Sequence, residues 1–132
     1  MTDFTVALGA LFALMTLAHF VFDWLPQAES WAVVKHREWD VRLLHSLFYS
    51  LPMAVLLYMV TDCSIDRMNI ALIVLLVSHF FEDTYWFPAW WYRNVRQGKG
   101  PMYEGFNLVL VIMVDQIVHL VTLLVACTIA IW

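Results

Sequence analysis

HFVFD (residues 19–23) and HFFED (residues 79–83) repeat one pattern, a histidine followed four residues later by an aspartate, sixty positions apart. Each sits inside a hydrophobic run. An uncompensated charge at membrane depth costs roughly 3 kcal/mol even on lenient insertion scales, so a chain that places the same ionisable pair in apolar helices twice has a use for it.

The rest of the chain sets the context. Of 132 residues, 63% are hydrophobic and only 14% charged, far from the balance of a soluble domain. The expectation is an all-α integral membrane protein. About 4–25, 42–61, 68–88 and 106–131 are apolar enough, and at ~1.5 Å per residue long enough, to cross a ~30 Å hydrocarbon core. They form a single domain, 1–132, as a four-transmembrane-helix bundle. The first run does not read as a cleavable signal, since it opens on Asp3 and no small-residue cleavage site follows Asp23-Trp24-Leu25-Pro26. Pro26 and Pro88 fit the ends of spans one and three, and Pro52 is expected to kink span two. The sequence around the two motifs, each leading to a proline, a tryptophan and basic residues, admits a tandem pair of helical hairpins as well as chance convergence.

Basic residues fix an expected orientation. Lys35, Arg37 and Arg42 lie between spans one and two, Arg93, Arg96 and Lys99 between spans three and four, and Arg67 alone elsewhere. The positive-inside rule then places both loops in the cytoplasm and both termini outside, in the inner membrane of the cell. Trp24, Trp31, Trp39, Trp86, Trp90 and Trp91 flank the inner boundary and Trp132 the outer one, as indole rings prefer. The partner is the lipid bilayer, with a homo-oligomer open; no basic patch suits nucleic acid. Cys63 and Cys127 fall on the outer side and read either as a disulfide or as two unpaired small hydrophobes.

Every histidine except His36 falls in a predicted span. His19 with Asp23, His79 with Asp83, and Asp115 with His119 are i,i+4 pairs that share a helix face, and His45 opens span two. Counted from the inner ends at ~1.5 Å per residue, these groups all fall in the inner half of the membrane, within ~5 to ~20 Å of the cytoplasmic boundary. Imidazole and carboxylate from facing helices suit a divalent transition metal such as Zn, Fe or Mn, in one- or two-metal centres. Two other readings are a proton or ion pathway and interhelical hydrogen-bond pairs. An acid at i±4 beside three of the histidines argues against a haem. No HExxH, GxSxG or CxxC motif is present, so an activated water is the expected attacking group for any hydrolysis. Gln27, Lys35, Arg42, Glu82 and Gln116 stand near the cluster as candidate supporting or substrate-contacting residues. Lys35, Arg37, Arg93 and Arg96 are expected to ring the cytoplasmic mouth.

The ordered set HFVFDWLPQ (19–27), WAVVK (31–35), LLHSLFY (43–49), HFFED (79–83) and DQIVHL (115–120) resembles the bacterial and phage membrane family known as domain of unknown function 3307. That resemblance implies polar positions at His19, Asp23, Gln27, Lys35, His45, His79, Asp83, Asp115, Gln116 and His119. Members often carry a lysine shortly after the second Asp, where Thr84, Tyr85 and Trp86 stand here. The resemblance implies no reaction. Taken together, the residues point to a metal site built from His19, Asp23, His45, His79, Asp83, Asp115 and His119, serving a metal-dependent, hydrolase-like membrane enzyme. The alternative is an oligomeric channel or membrane effector whose polar cluster is structural or ion-conducting.

Overall fold

The computed structural model describes residues 2–25 and 34–132. Gln27, Pro26 and Trp31, singled out above, lie outside the described residues. Among the described residues five helices follow in order: α1 (Thr2–Trp24), α2 (Trp39–Thr61), α3 (Ile65–Glu82), α4 (Trp86–Asn94) and α5 (Gly105–Ile131). No strand occurs among the described residues. The hydropathy runs therefore become helices within a few residues of their expected ends, with one exception.

That exception is the third span. The expected single run of 68–88 is broken: α3 stops at Glu82 and α4 leaves it at 51° after a short turn. Tyr85, at φ 56, adopts the left-handed conformation, which terminates a right-handed helix, and Pro88 sits in the first turn of α4, where its missing N–H is tolerated. Eighteen residues of α3 rise only ~27 Å, a little short of the hydrocarbon core, and α4 extends the apolar run at an angle. Helices α1, α2 and α5 are each long and apolar enough to cross a membrane alone, and the bent α3–α4 pair passes the same length and composition test when taken together, giving three to four candidate spans.

Local chemistry sets the other ends. Ser64 caps α3 by accepting the Arg67 N–H, and Asp62, at φ 50, closes α2 with its N–H on the Tyr58 carbonyl. Helix α2 runs continuously through Pro52. Between α4 and α5 the Tyr92 hydroxyl donates to the Gly100 carbonyl at 3.0 Å, and a Cβ on Gly98 would collide with the Tyr92 ring.

The long helices form a four-sided bundle. Helix α1 packs on α2 and α5, α2 on α3, and α3 on α5, so α1 and α3 face each other across the diagonal. Burial follows a four-residue register: Leu11, Met15, His19 and Asp23 on α1, then Ala71, Leu75, His79 and Asp83 along α3. Core positions and ionisable positions thus form one continuous stripe, apolar toward one end of the bundle and polar toward the other. Between lipid-like surroundings and a helix there is no hydrophobic drive to associate, so close packing must hold the apolar half. Ala54, Ala71, Ala126 and Ala130 supply the small contact residues there, beside Met53, Leu57 and Leu123. The opposite faces remain apolar: Leu17, Ile73, Ile117 and Val121 are all more than half exposed. An apolar surface of that extent fits a lipid-facing exterior. Cys63 and Cys127 are free thiols buried in the apolar half.

Candidate metal centre

All four long elements contribute to one buried cluster at the polar end of the stripe. His19, Asp23, His45, His79, Asp83, Asp115 and His119 are each no more than 5% exposed, and Lys35 joins them at 7%. The i,i+4 spacing explains part of this: His79 sits one turn before Asp83, so both reach the same interior.

The tightest convergence involves α1, α2 and α3. His45 Nε2 lies 2.9 Å from Asp23 Oδ1 and 3.1 Å from His79 Nε2, and His79 Nε2 lies 3.6 Å from Asp23 Oδ1. Asp83 Oδ2 stands 3.3 Å from His45 Nε2 and 3.5 Å from His79 Nε2. Ligand atoms held ~2.1 Å from one tetrahedral ion are separated by ~3.4 Å, close to these spacings.

Hydrogen bonding alone does not account for the arrangement. A ring nitrogen carries either a proton or a lone pair, yet His45 Nε2 faces the Asp23 carboxylate, which requires a donor, and the Lys35 ammonium at 3.1 Å, which requires an acceptor. His79 Nδ1, Asp83 Oδ2 and His119 Nε2 are buried with no hydrogen-bond partner. Such orphaned groups are rare in interiors and costly, and Asp83 Oδ2 and His119 Nε2, both turned toward other donors, fit metal ligands; the His79 Nδ1 orphan lies on the far side of its ring from the convergence. Asp23, His45 and His79 form one group of convergent donors, and His79, Glu82 and His119 another.

Other predicted residues brace this set. Gln116 Nε2 donates to Asp115 Oδ2, which turns Gln116 Oε1 toward His19; the His19 Nε2–H donates to it at 3.0 Å, leaving Nδ1 to accept from the Tyr49 hydroxyl. Both His19 nitrogens are thereby engaged. The Asp115 backbone carbonyl accepts the His119 Nδ1–H at 2.9 Å, and its side chain borders two clefts that open on either side of α5. Glu82 Oε2 lies 3.6 Å from His119 Nε2 and 3.5 Å from the Thr122 hydroxyl.

Lys35 does not ring the mouth. It points inward, with Nζ 2.9 Å from Asp83 Oδ1 and 3.8 Å from Asp23 Oδ1. Arg42 explains how a turn residue is held there, because its guanidinium donates to the Lys35 and His36 carbonyls and lies over the Phe80 ring. Burial and the Arg37 and Arg42 charges hold the His36 imidazole below its ordinary pKa, in keeping with a neutral ring that accepts from Arg37 Nε. Among the described residues, Lys35 is the one ammonium or guanidinium within ion-pair reach of the buried acids.

Sequence reasoning missed Tyr49. Its ring stacks on His79 at 4.0 Å between centroids while its hydroxyl serves His19. The available signal was its position one turn beyond His45, on the same face of α2.

The model of one protein family matches residues 11–132. The chain belongs to the DUF3307 family, described as proteins of unknown function. No match was found among curated proteins or among solved structures. The polar positions implied by the resemblance to DUF3307 coincide, where described, with the residues of the buried cluster.

Proposed function

We propose that this chain is an inner-membrane protein that holds a divalent transition metal, zinc, iron or manganese, through Asp23, His45 and His79 with Asp83 beside them. The observation that carries this reading is the convergence of Asp23 Oδ1 and the two Nε2 atoms from three different helices, at separations of 2.9, 3.1 and 3.6 Å. His19, Tyr49 and Gln116 hold the site in place around them. A metal in this position would supply Lewis acidity and activate water, which suits hydrolysis.

The surroundings favour an amphiphilic, anionic substrate. A cleft of about 780 Å³ beside the α3–α4 elbow is lined by Phe81, Trp86, Phe87 and Trp90, with Arg93 at its wall and Glu82 and Asp115 at its inner side. Aromatic walls suit an acyl chain, and a guanidinium suits a phosphate or carboxylate headgroup. The excess of basic residues in the two loops supports an orientation with this end at the cytoplasmic leaflet and both termini outside.

Metal analysis of the detergent-purified protein tests the reading. One or more equivalents per chain are expected, with a loss of at least one equivalent in His45→Ala and His79→Ala. Substoichiometric metal that His79→Ala leaves unchanged would defeat it. One observation favours a rival: the Lys35 ammonium already neutralises part of the Asp23–Asp83 pair, as it would in a purely structural interhelical lock. In that case Lys35→Met would unfold the protein instead of freeing the acids for metal.

A further inference from the structure

Glu82, Asp83 and His119 form a second constellation next to the first. His119 donates its Nδ1–H to the Asp115 carbonyl at 2.9 Å, so the neutral ring carries its lone pair on Nε2. That Nε2 is buried, has no hydrogen-bond partner, and faces Glu82 Oε2 at 3.6 Å. A lone pair facing a carboxylate oxygen is repulsive unless a proton or a metal ion lies between them, and a divalent ion would engage both atoms at once. Anchoring one ring nitrogen on a backbone carbonyl is also how metal-binding histidines are commonly held. The ligand atoms of His79, Glu82 and His119 all lie within 4.8 Å of one another.

Asp83 joins the two groups. Its Oδ2 faces His45 and His79 at 3.3 and 3.5 Å, while its Oδ1 faces His119 Nε2 at 3.9 Å. A carboxylate that turns one oxygen to each of two donor sets has the disposition of a bridging ligand. Lys35 Nζ occupies the same oxygen, Oδ1, at 2.9 Å. Its ammonium lies at the end of a long side chain whose backbone Arg42 holds, so the head group can withdraw while the turn stays in place. Lys35 reaches Asp23 and Asp83 only, which leaves Glu82 and Asp115 with no ammonium or guanidinium in ion-pair reach among the described residues.

We infer that the centre is binuclear, with a second divalent ion held by Glu82 and His119 beside His79, and with Asp83 bridging it to the first. This rests on the metal reading above and adds Glu82 as a ligand. Zinc content of the purified, zinc-equilibrated protein should be two equivalents per chain, falling to one in Glu82→Gln and in His119→Ala. Electron paramagnetic resonance of the manganese-loaded wild type should show an exchange-coupled pair, a signature that a structural role for Glu82 would not produce and that does not depend on any variant folding. One equivalent in the wild type, unchanged in Glu82→Gln, with the spectrum of an isolated ion, overturns the second site and leaves the first standing. No bound metal overturns both.

Discussion

Lys35 reaches Asp83 at 2.9 Å and His45 at 3.1 Å from a turn clamped by Arg42, so an ammonium and a metal ion would draw on the same donors. Replacing it by methionine keeps most of the apolar stem and removes the charged head group. Lys35→Met is therefore expected to raise zinc affinity by about tenfold or more, since ~1.4 kcal/mol of relieved competition suffices. Titration calorimetry in detergent reads this directly, and weaker binding in the variant would show that Lys35 supports the site instead of competing for it. Tyr49 makes a different contribution. Tyr49→Phe keeps the stack on His79 but deletes the hydroxyl that His19 accepts from, as one interhelical hydrogen bond. Such bonds in membrane bundles contribute about 0.6–1.7 kcal/mol. The variant should lose stability of that order in denaturant titration while its metal stoichiometry stays unchanged. A changed stoichiometry would place Tyr49 among the ligands' direct supports.

The helices themselves show which features local pattern determines. Apolar length located α1, α2 and α5 to within three residues at each end, and i,i+4 spacing put His19 with Asp23, and His79 with Asp83, on buried faces. The break after Glu82 was not legible, because it depends on Tyr85 taking a left-handed conformation, which no hydropathy window registers. Lys35 was read both as a support of the cluster and as part of a ring at the mouth, and spacing could not choose between the two. Its inward path is fixed by Arg42 seven residues later and by acids on two other helices, contacts that spacing along the chain does not encode. Glu82 read as a neighbour of the cluster, and its approach to His119 comes only from the packing of α3 on α5. The loop after α4 offers a test at this scale. Gly98 leaves no room for a Cβ against the Tyr92 ring, whose hydroxyl holds Gly100. Gly98→Ala should cost about 1–3 kcal/mol, as other overpacked sites do, and lower the unfolding temperature. An unchanged transition would mean that Tyr92 can swing aside without loss.

Across the molecule, the bundle divides into an apolar half closed by side-chain packing and a polar half where, among the described residues, one ammonium and four histidines face four carboxylates. A ligand that binds only the folded bundle stabilises it by mass action, by about 2.7 kcal/mol at a hundred times its dissociation constant. Removing metal with a chelator should therefore lower the thermal transition, and adding zinc should restore it. Equal transitions with and without metal would argue for a cluster that is complete in itself. The buried free thiols Cys63 and Cys127 allow a sharper discrimination, because they belong to the apolar half, away from the polar cluster. X-ray absorption at the zinc edge of the purified, zinc-loaded protein reports the donor atoms themselves. The expected result is a shell of nitrogen and oxygen only, at ~2.0–2.2 Å, with the multiple-scattering pattern of imidazole. A sulfur shell at ~2.3 Å, or no ordered shell at all, would contradict a centre built from these histidines and carboxylates.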